Sequence, residues 1–237
     1  DGLYLCLRFM ALIDNITGYW KLDESSGTAA DSVASNTLTN NNTVAYSAGK
    51  INNAADFGSA NTNKTLSSTS ISGTIHQNMS FSIWVNITTA PGVGTSGTLL
   101  SIRTNTSSNF IDWNIYYENV GGTMKLTFHR NRPGVADDTV AYNIDLGTGT
   151  WYYITMTYDT ATLLGYVNGV QQATVASSGV GTGGASSITL GSSLSGLLDE
   201  FGIWTKKLTA DEITELYNSG NGLQYPFVSF IPKIMMS

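Results

Sequence analysis

The chain has little charge, almost no cysteine or proline, and no long apolar run. Only 12% of its 237 residues are charged, against roughly 25% in an average globular domain. With 11 Lys and Arg spread thinly and a net charge of −6, no basic patch is available for nucleic acid. The same balance gives no steering toward anionic membranes. The single cysteine, Cys6, cannot close an internal disulfide, which argues against a disulfide-built scaffold. No apolar run reaches the roughly 18 residues a transmembrane helix needs, so no membrane insertion is expected. The two histidines, His76 and His129, have no cysteine or histidine cluster around them that would hold zinc. No Gly-x-Ser-x-Gly nucleophile elbow is present. The Gly-rich runs lack the Lys and helix of a phosphate-binding loop.

Ser, Thr, Asn and 25 Gly take the place of the missing charges. The length suits one large β domain, which buries roughly 70–75% of its unfolded surface and needs no staples. Period-2 patterning dominates. Phe81, Ile83, Val85 and Ile87 alternate with Ser82, Trp84, Asn86 and Thr88, as in a half-buried antiparallel strand. Ile111, Trp113, Ile115 and Tyr117 alternate with Asp112, Asn114, Tyr116 and Glu118, and Met124, Leu126 and Phe128 alternate with Lys125, Thr127 and His129. Gly121-Gly122 between these two runs is a hairpin signal, and so is Asn168-Gly169 after Leu163–Val167, because these residues tolerate positive φ. One helix is predicted. Thr209 to Glu212 form a Thr-x-x-Glu capping box, Ile213, Leu216 and Tyr217 give an apolar face, and Gly220 supplies the stop. Many short strands with one late helix predict an all-β, two-sheet antiparallel sandwich.

Four segments resemble the laminin-G-like, concanavalin-A-like jelly-roll family. They are GYWKLDESSGTAADSVASNTLT (18–39), FSIWVNI (81–87), TWYYITMTYD followed by GYVNGVQ (150–171), and LLDEFGIWTKKLTADEITELYNSG (197–220). They appear in the family's order and span Ile16 to Phe227. The resemblance implies a jelly roll with one concave face that binds sugars, glycoconjugates or protein partners. It also implies a kinship with free-standing domains on bacteriophage particles. On this reading residues 1–15 and 228–237 are apolar tails flanking a domain at 16–227. Met10 reads as a more natural start than Asp1. The tails, Leu3–Phe9 and Val228–Met236, are expected to pack against a neighbouring subunit or another virion protein.

The family also includes glycoside hydrolases. A retaining hydrolase needs two carboxyl groups roughly 5 Å apart. Asp199 and Glu200 are adjacent and are expected on opposite strand faces. Asp112 and Glu118 are about 20 Å apart along one strand at roughly 3.3 Å per residue. Asp137 and Asp138 read as loop residues. No catalytic pair is expected. For sugar binding, the polar faces of adjacent strands offer Asp112, Asn114, Tyr116 and His129, joined by Trp84 and Asn86 from another strand. An aromatic platform with convergent amides and carboxylates matches the apolar faces and hydroxyls of a sugar. Trp20, Trp151 and Trp204 are expected to pack in the core or under the helix. Arg130, Arg132 and residues 133–138 read as a solvated loop with two cations, the alternative being a site for an acidic partner. The resemblance further implies a structural Ca²⁺ at the sandwich edge, with ligands from Asp31, Asn36 and Asp199. The alternative is that Asp31 caps a turn and Asp199 makes an edge hydrogen bond. The expected role is a non-enzymatic, lectin-like attachment module, at a virion surface or extracellular. The alternative is a carbohydrate-binding module of a secreted bacterial protein.

Overall fold

Alternation along each strand divides its side chains between the sandwich interior and one outer surface. In the computed structural model, which describes residues 12–59, 63–71, 77–104, 112–131, 137–177 and 186–227, this produces two antiparallel sheets. Leu3–Phe9, Val228–Met236, His76 and Arg132 lie outside the described residues, while Leu12, from the expected tail at 1–15, is buried in the cluster of Trp204.

In chain order the strands begin with β1 (Ile16–Trp20), β2 (Thr39–Asn41), β3 (Ala45–Ala48), β4 (Asn53–Asp56) and β5 (Thr65–Ile71). The long central strands are β6 (Asn78–Ile87), β7 (Ser96–Thr104), β8 (Asp112–Val120), β9 (Thr123–Asn131) and β10 (Asp138–Asn143). The last five are β11 (Trp151–Asp159), β12 (Thr162–Val167), β13 (Val170–Ala176), β14 (Ser186–Leu190) and β15 (Gly196–Trp204). One sheet runs β13-β12-β11-β6-β15-β4-β3, with β1 also paired to β15, and the other runs β10-β9-β8-β7-β14-β5-β2. The fold is a jelly-roll sandwich, and a short α-helix, α1 (Ala210–Tyr217), follows the last strand.

The two predicted hairpins form. Gly121 and Gly122 have φ of 61° and 90°, and Asn168 and Gly169 have 51° and 80°, the paired positive φ that matches right-handed strand twist. Between the sheets, Phe81, Ile83 and Val85 of β6 meet Trp113, Ile115 and Tyr117 of β8 and Leu126 and Phe128 of β9 in one buried cluster. Gly165 of β12 lies so close to the Phe128 ring that a β-carbon there would collide with it.

Helix α1 decides which outer surface stays open. Thr209 caps it, with Glu212 N donating to Thr209 Oγ1 at 3.2 Å and Thr209 N to Glu212 Oε2 at 2.8 Å. The stop is Asn218, in the left-handed conformation at φ 50°, rather than the expected Gly220. Gly220 instead ends the 3₁₀ turn that follows. Eight residues are too few for a helix to persist alone, so docking stabilises it. Ile213 and Leu216 pack with Tyr19, Trp84, Tyr153, Trp204 and Phe227 in a second buried cluster. Ser80 Oγ donates to Lys206 O and accepts from Leu208 N, tying the helix entrance to β6. The outer face of the first sheet is thereby roofed near β6 and β15 by α1 and the segment after it.

Candidate functional site

The outer face of the second sheet carries the polar series predicted from alternation. Asp112, Asn114, Tyr116 and Glu118 project from β8 opposite the core residues Trp113, Ile115 and Tyr117. The β8–β9 register sets Asn114 beside His129 and Tyr116 beside Thr127. Asn114 Nδ2 lies 3.4 Å from His129 Nδ1, and His129 Nε2 lies 3.2 Å from Asp137 Oδ2. This arrangement suits the tautomer with the proton on Nε2. Asn131 Nδ2 also donates to Asp137, at 3.1 Å. The Tyr116 and His129 rings sit 6.3 Å apart. Arg103 of β7 grips Asp112 bidentately, through Nε at 2.8 Å and Nη2 at 2.9 Å. Thr127 Oγ1 donates to Glu118 at 2.5 Å. Burial, then the negative charges of Asp112 and Glu118, raise the Tyr116 pKa, so the phenol stays a neutral donor. The result is a partly sheltered aromatic pair edged by amides and carboxylates. Arg103, from the neighbouring strand, and Asp137, read from sequence only as a loop residue, join it; Arg103 was not singled out. Arg103 could have been found only through the β7–β8 pairing, which sets it opposite Asp112.

Trp84 and Asn86 do not belong to this face, which corrects the expectation that they would line it. Both are on β6, in the other sheet. Trp84 is 2% exposed, stacked 5.8 Å from Tyr217 of α1 and 5.1 Å from Tyr153. Alternation reports that a side chain points away from the core. It does not report which sheet it is in or what covers it. Trp20 and Trp204 are buried as expected, and Trp151 packs partly buried against the helix-side cluster.

Two further expectations change. Arg130 is fully buried rather than a loop cation. It pairs with Asp138 of β10 at 2.9 Å and lies 4.3 Å from the Tyr158 ring centroid and 5.1 Å from that of Trp113. Its phase with Leu126 and Phe128, four and two residues earlier, was the signal for an inward position. Asp199 and Glu200 also fail to separate onto opposite faces. A bulge interrupts β15 between Asp199 and Gly202, with Glu200 at φ 50°. One extra residue restarts the alternation. Leu198 and Phe201 therefore both face the sandwich interior, while Asp199 and Glu200 are buried on the helix side.

The two carboxyls are enclosed. Asp199 Oδ2 accepts from the backbone of Lys50 and Ile51, at 2.8 and 3.0 Å. Glu200 accepts from the Tyr19 hydroxyl and from Gln224 Nε2, both at 2.5 Å. Burial, reinforced by the Glu200 charge, pushes Asp199 up to about 8. Burial likewise pushes Glu200 up to about 7, against the opposing hydrogen bonds of Tyr19 and Gln224. The pair is buried, at 0% and 2% exposure.

The residues implied for calcium do not form one centre. Asp31 Oδ1 accepts from Tyr19 N at 3.0 Å and Val33 N at 2.9 Å, and its Oδ2 accepts from Asn36 Nδ2 at 3.0 Å. Asp31 and Asn36 therefore meet as a turn cap, with N–H groups directed at the carboxylate. Asp199 shares no hydrogen-bond partner with them. Among the described residues no group of three or more His, Cys, Asp or Glu is placed to hold a metal ion. The residues present do not fit a shared calcium site.

A family model for the concanavalin A-like lectin/glucanases superfamily matches residues 57–214. The chain belongs to that superfamily. Solved lectin/glucanase-like structures share its fold at low identity. Domain 4 of AbnA, a GH43 extracellular arabinanase from Geobacillus stearothermophilus solved with arabinotriose, is 21% identical. The match covers 85% of this chain and 97% of that one, with a TM-score of 0.61. The botulinum neurotoxin serotype D binding domain is 13% identical over 90% of this chain and 53% of that one, with a TM-score of 0.68. A Trypanosoma rangeli sialidase matches at 11% identity and TM-score 0.61, over 87% of this chain and 33% of that one. The chain spans about half the length of the toxin binding-domain chains it matches. No curated protein matches the sequence. No described helix is long and apolar enough to cross a membrane.

Proposed function

We propose that this superfamily member is a non-catalytic glycan-binding module whose site is the outer face of the second sheet, centred on Tyr116 and His129. One observation carries the reading. Helix α1 and the segment after it roof the first sheet near β6 and β15, while the second sheet presents a hydrogen-bonded row of Asn114, His129 and Asp137, the Tyr116 ring 6.3 Å from that of His129, and Asp112 held by Arg103. A sugar ring stacks on the aromatic pair, and its hydroxyls reach the amides and carboxylates at the edge. The AbnA domain crystallised with arabinotriose lends support at the level of fold. The enclosed state of Asp199 and Glu200 supports a binding rather than a hydrolytic role. The module would act in attachment at a surface, either that of a virion or that of a secreted bacterial protein.

A glycan array with the wild-type chain tests the reading. At least one glycan is expected to bind, and Tyr116→Ala should weaken it at least tenfold, or about 1.4 kcal/mol. An array with no hits, or hits indifferent to Tyr116→Ala and Asn114→Ala, would refute it. Co-purification with viral particles tests the virion setting separately.

A further inference from the structure

A second opening lies beside Tyr117, on the β6–β7 and β14–β15 loops. It is a pocket of about 390 Å³ walled by the end of β6, the loop after it, the start of β7, Tyr117 and the loop between β14 and β15. Functional small-molecule pockets run from roughly 300 to 1,000 Å³, so this one suits a small ligand or the tip of a larger one.

The walls are held in place before any ligand arrives. Thr88 N donates to Ser195 O at 3.0 Å and Thr98 N to Ser192 O at 2.9 Å, which fixes the β14–β15 loop to β6 and β7. The loop after β6 is pinned to the β8–β9 hairpin. Gly94 N donates to Asn119 O at 2.8 Å, Asn119 N to Thr95 O at 3.0 Å, and Asn119 Nδ2 to Pro91 O at 3.1 Å. Gly97 permits a close approach, since a β-carbon there would sit 3.2 Å from Leu194 Cα. Such preorganisation lowers the entropy cost of binding.

The lining states the ligand's chemistry. Among the described residues it holds no charged side chain. Hydroxyls come from Thr89, Thr95, Ser96 and Ser193, and apolar surface from Pro91 and Leu194. The Tyr117 hydroxyl is already engaged, donating to Asp145 at 3.1 Å and accepting from Leu146 N at 3.0 Å. Val93, in the wall loop, is 70% exposed and extends the apolar surface outward. A charged ligand would lose water here and find no counter-charge. A neutral ligand with both apolar and hydroxyl faces would find partners for each.

We infer that this pocket is a second, independent subsite that takes a neutral sugar residue, such as the terminal residue of an uncharged glycan. The choice of sugar as ligand class rests on the glycan-binding reading above; the pocket and its lack of charge do not.

Amide chemical-shift mapping tests this with glucose, galactose, mannose, N-acetylglucosamine, N-acetylgalactosamine and sialic acid as probes, each titrated to tens of millimolar. At least one neutral sugar should shift the amides of Thr95, Ser96, Ser193 and Leu194, with sialic acid weaker by tenfold or more. Ser96→Trp, which fills the pocket, should abolish these shifts. Should that variant fail to fold, Thr89→Ala with Ser96→Ala removes two lining hydroxyls from exposed positions and should weaken binding at least fivefold. Shifts confined to β8 and β9 around Tyr116 would overturn the pocket and leave the sheet-face reading standing. Shifts confined to the pocket would uphold the inference and remove the sheet-face site. Sialic acid binding as well as the neutral sugars, or pocket shifts unaffected by both variants, would overturn it, as would no response to any probe.

Discussion

Raising the pH from about 5 to about 8 should destabilise the protein through Asp199 and Glu200. Both acids have pKa values in the folded state above their ordinary values, to about 8 and about 7, because both are buried. Between the unfolded and folded pKa values, the folded state holds a proton that the unfolded state has lost. Stability from this source is therefore complete below roughly pH 4 and falls as pH rises through 7 to 8. The two groups lose their protons in two coupled steps, and the smaller shift, that of Glu200, sets a lower bound. Its rise from 4.5 to about 7 corresponds, at about 1.4 kcal/mol per pKa unit, to a loss of about 3 kcal/mol. For a domain of this size that lowers Tm by roughly 6–12 °C. Calorimetric melts across the pH window measure it. Glu200→Gln keeps the shape and removes one titrating carboxyl and its charge beside Asp199, so its Tm should fall less than that of the wild type, the remaining fall being that of Asp199. A wild-type Tm that is flat or rises over this window, or an unchanged slope in Glu200→Gln, would refute the reasoning.

Trp84→Ala should cost stability, about 3–5 kcal/mol, because it empties the space beneath α1; denaturant titration measures this, and glycan binding by the folded fraction should persist. Arg130→Ala leaves the Asp138 carboxylate buried without its cation, a loss of about 3–5 kcal/mol. The paired change Arg130→Met with Asp138→Leu should recover most of it in the same titration. Gly165→Ala pushes a methyl group into the Phe128 ring and should cost about 1–3 kcal/mol, with partial rescue by Phe128→Leu.

Local signals carried much of the architecture. The Gly121-Gly122 and Asn168-Gly169 turns, the alternation of β6, β8 and β9, and the Thr209 capping box each depend on neighbouring residues, and each appears where expected. Part of the candidate site was legible for the same reason. Asp112, Asn114, Tyr116 and His129 lie on adjacent strands joined by a two-residue turn, so their sharing a face follows from local register. Trp84 shows where such reasoning stops. Its outward phase on β6 is correct, yet a helix more than a hundred residues later covers it.

Period, turn chemistry and capping act over a few residues, and they determined that this chain forms an antiparallel sandwich with one terminal helix. Three decisions needed the tertiary structure. Strand order put β6 and β8 in different sheets, since pairing between distant strands is set by packing of the whole core. The bulge at Glu200, a non-glycine residue with positive φ, brought two acids to one side of β15, where burial raises both pKa values. The docking of α1 placed its cover on the first sheet and not on the second sheet's polar face, because a helix of eight residues persists only where it buries its apolar side.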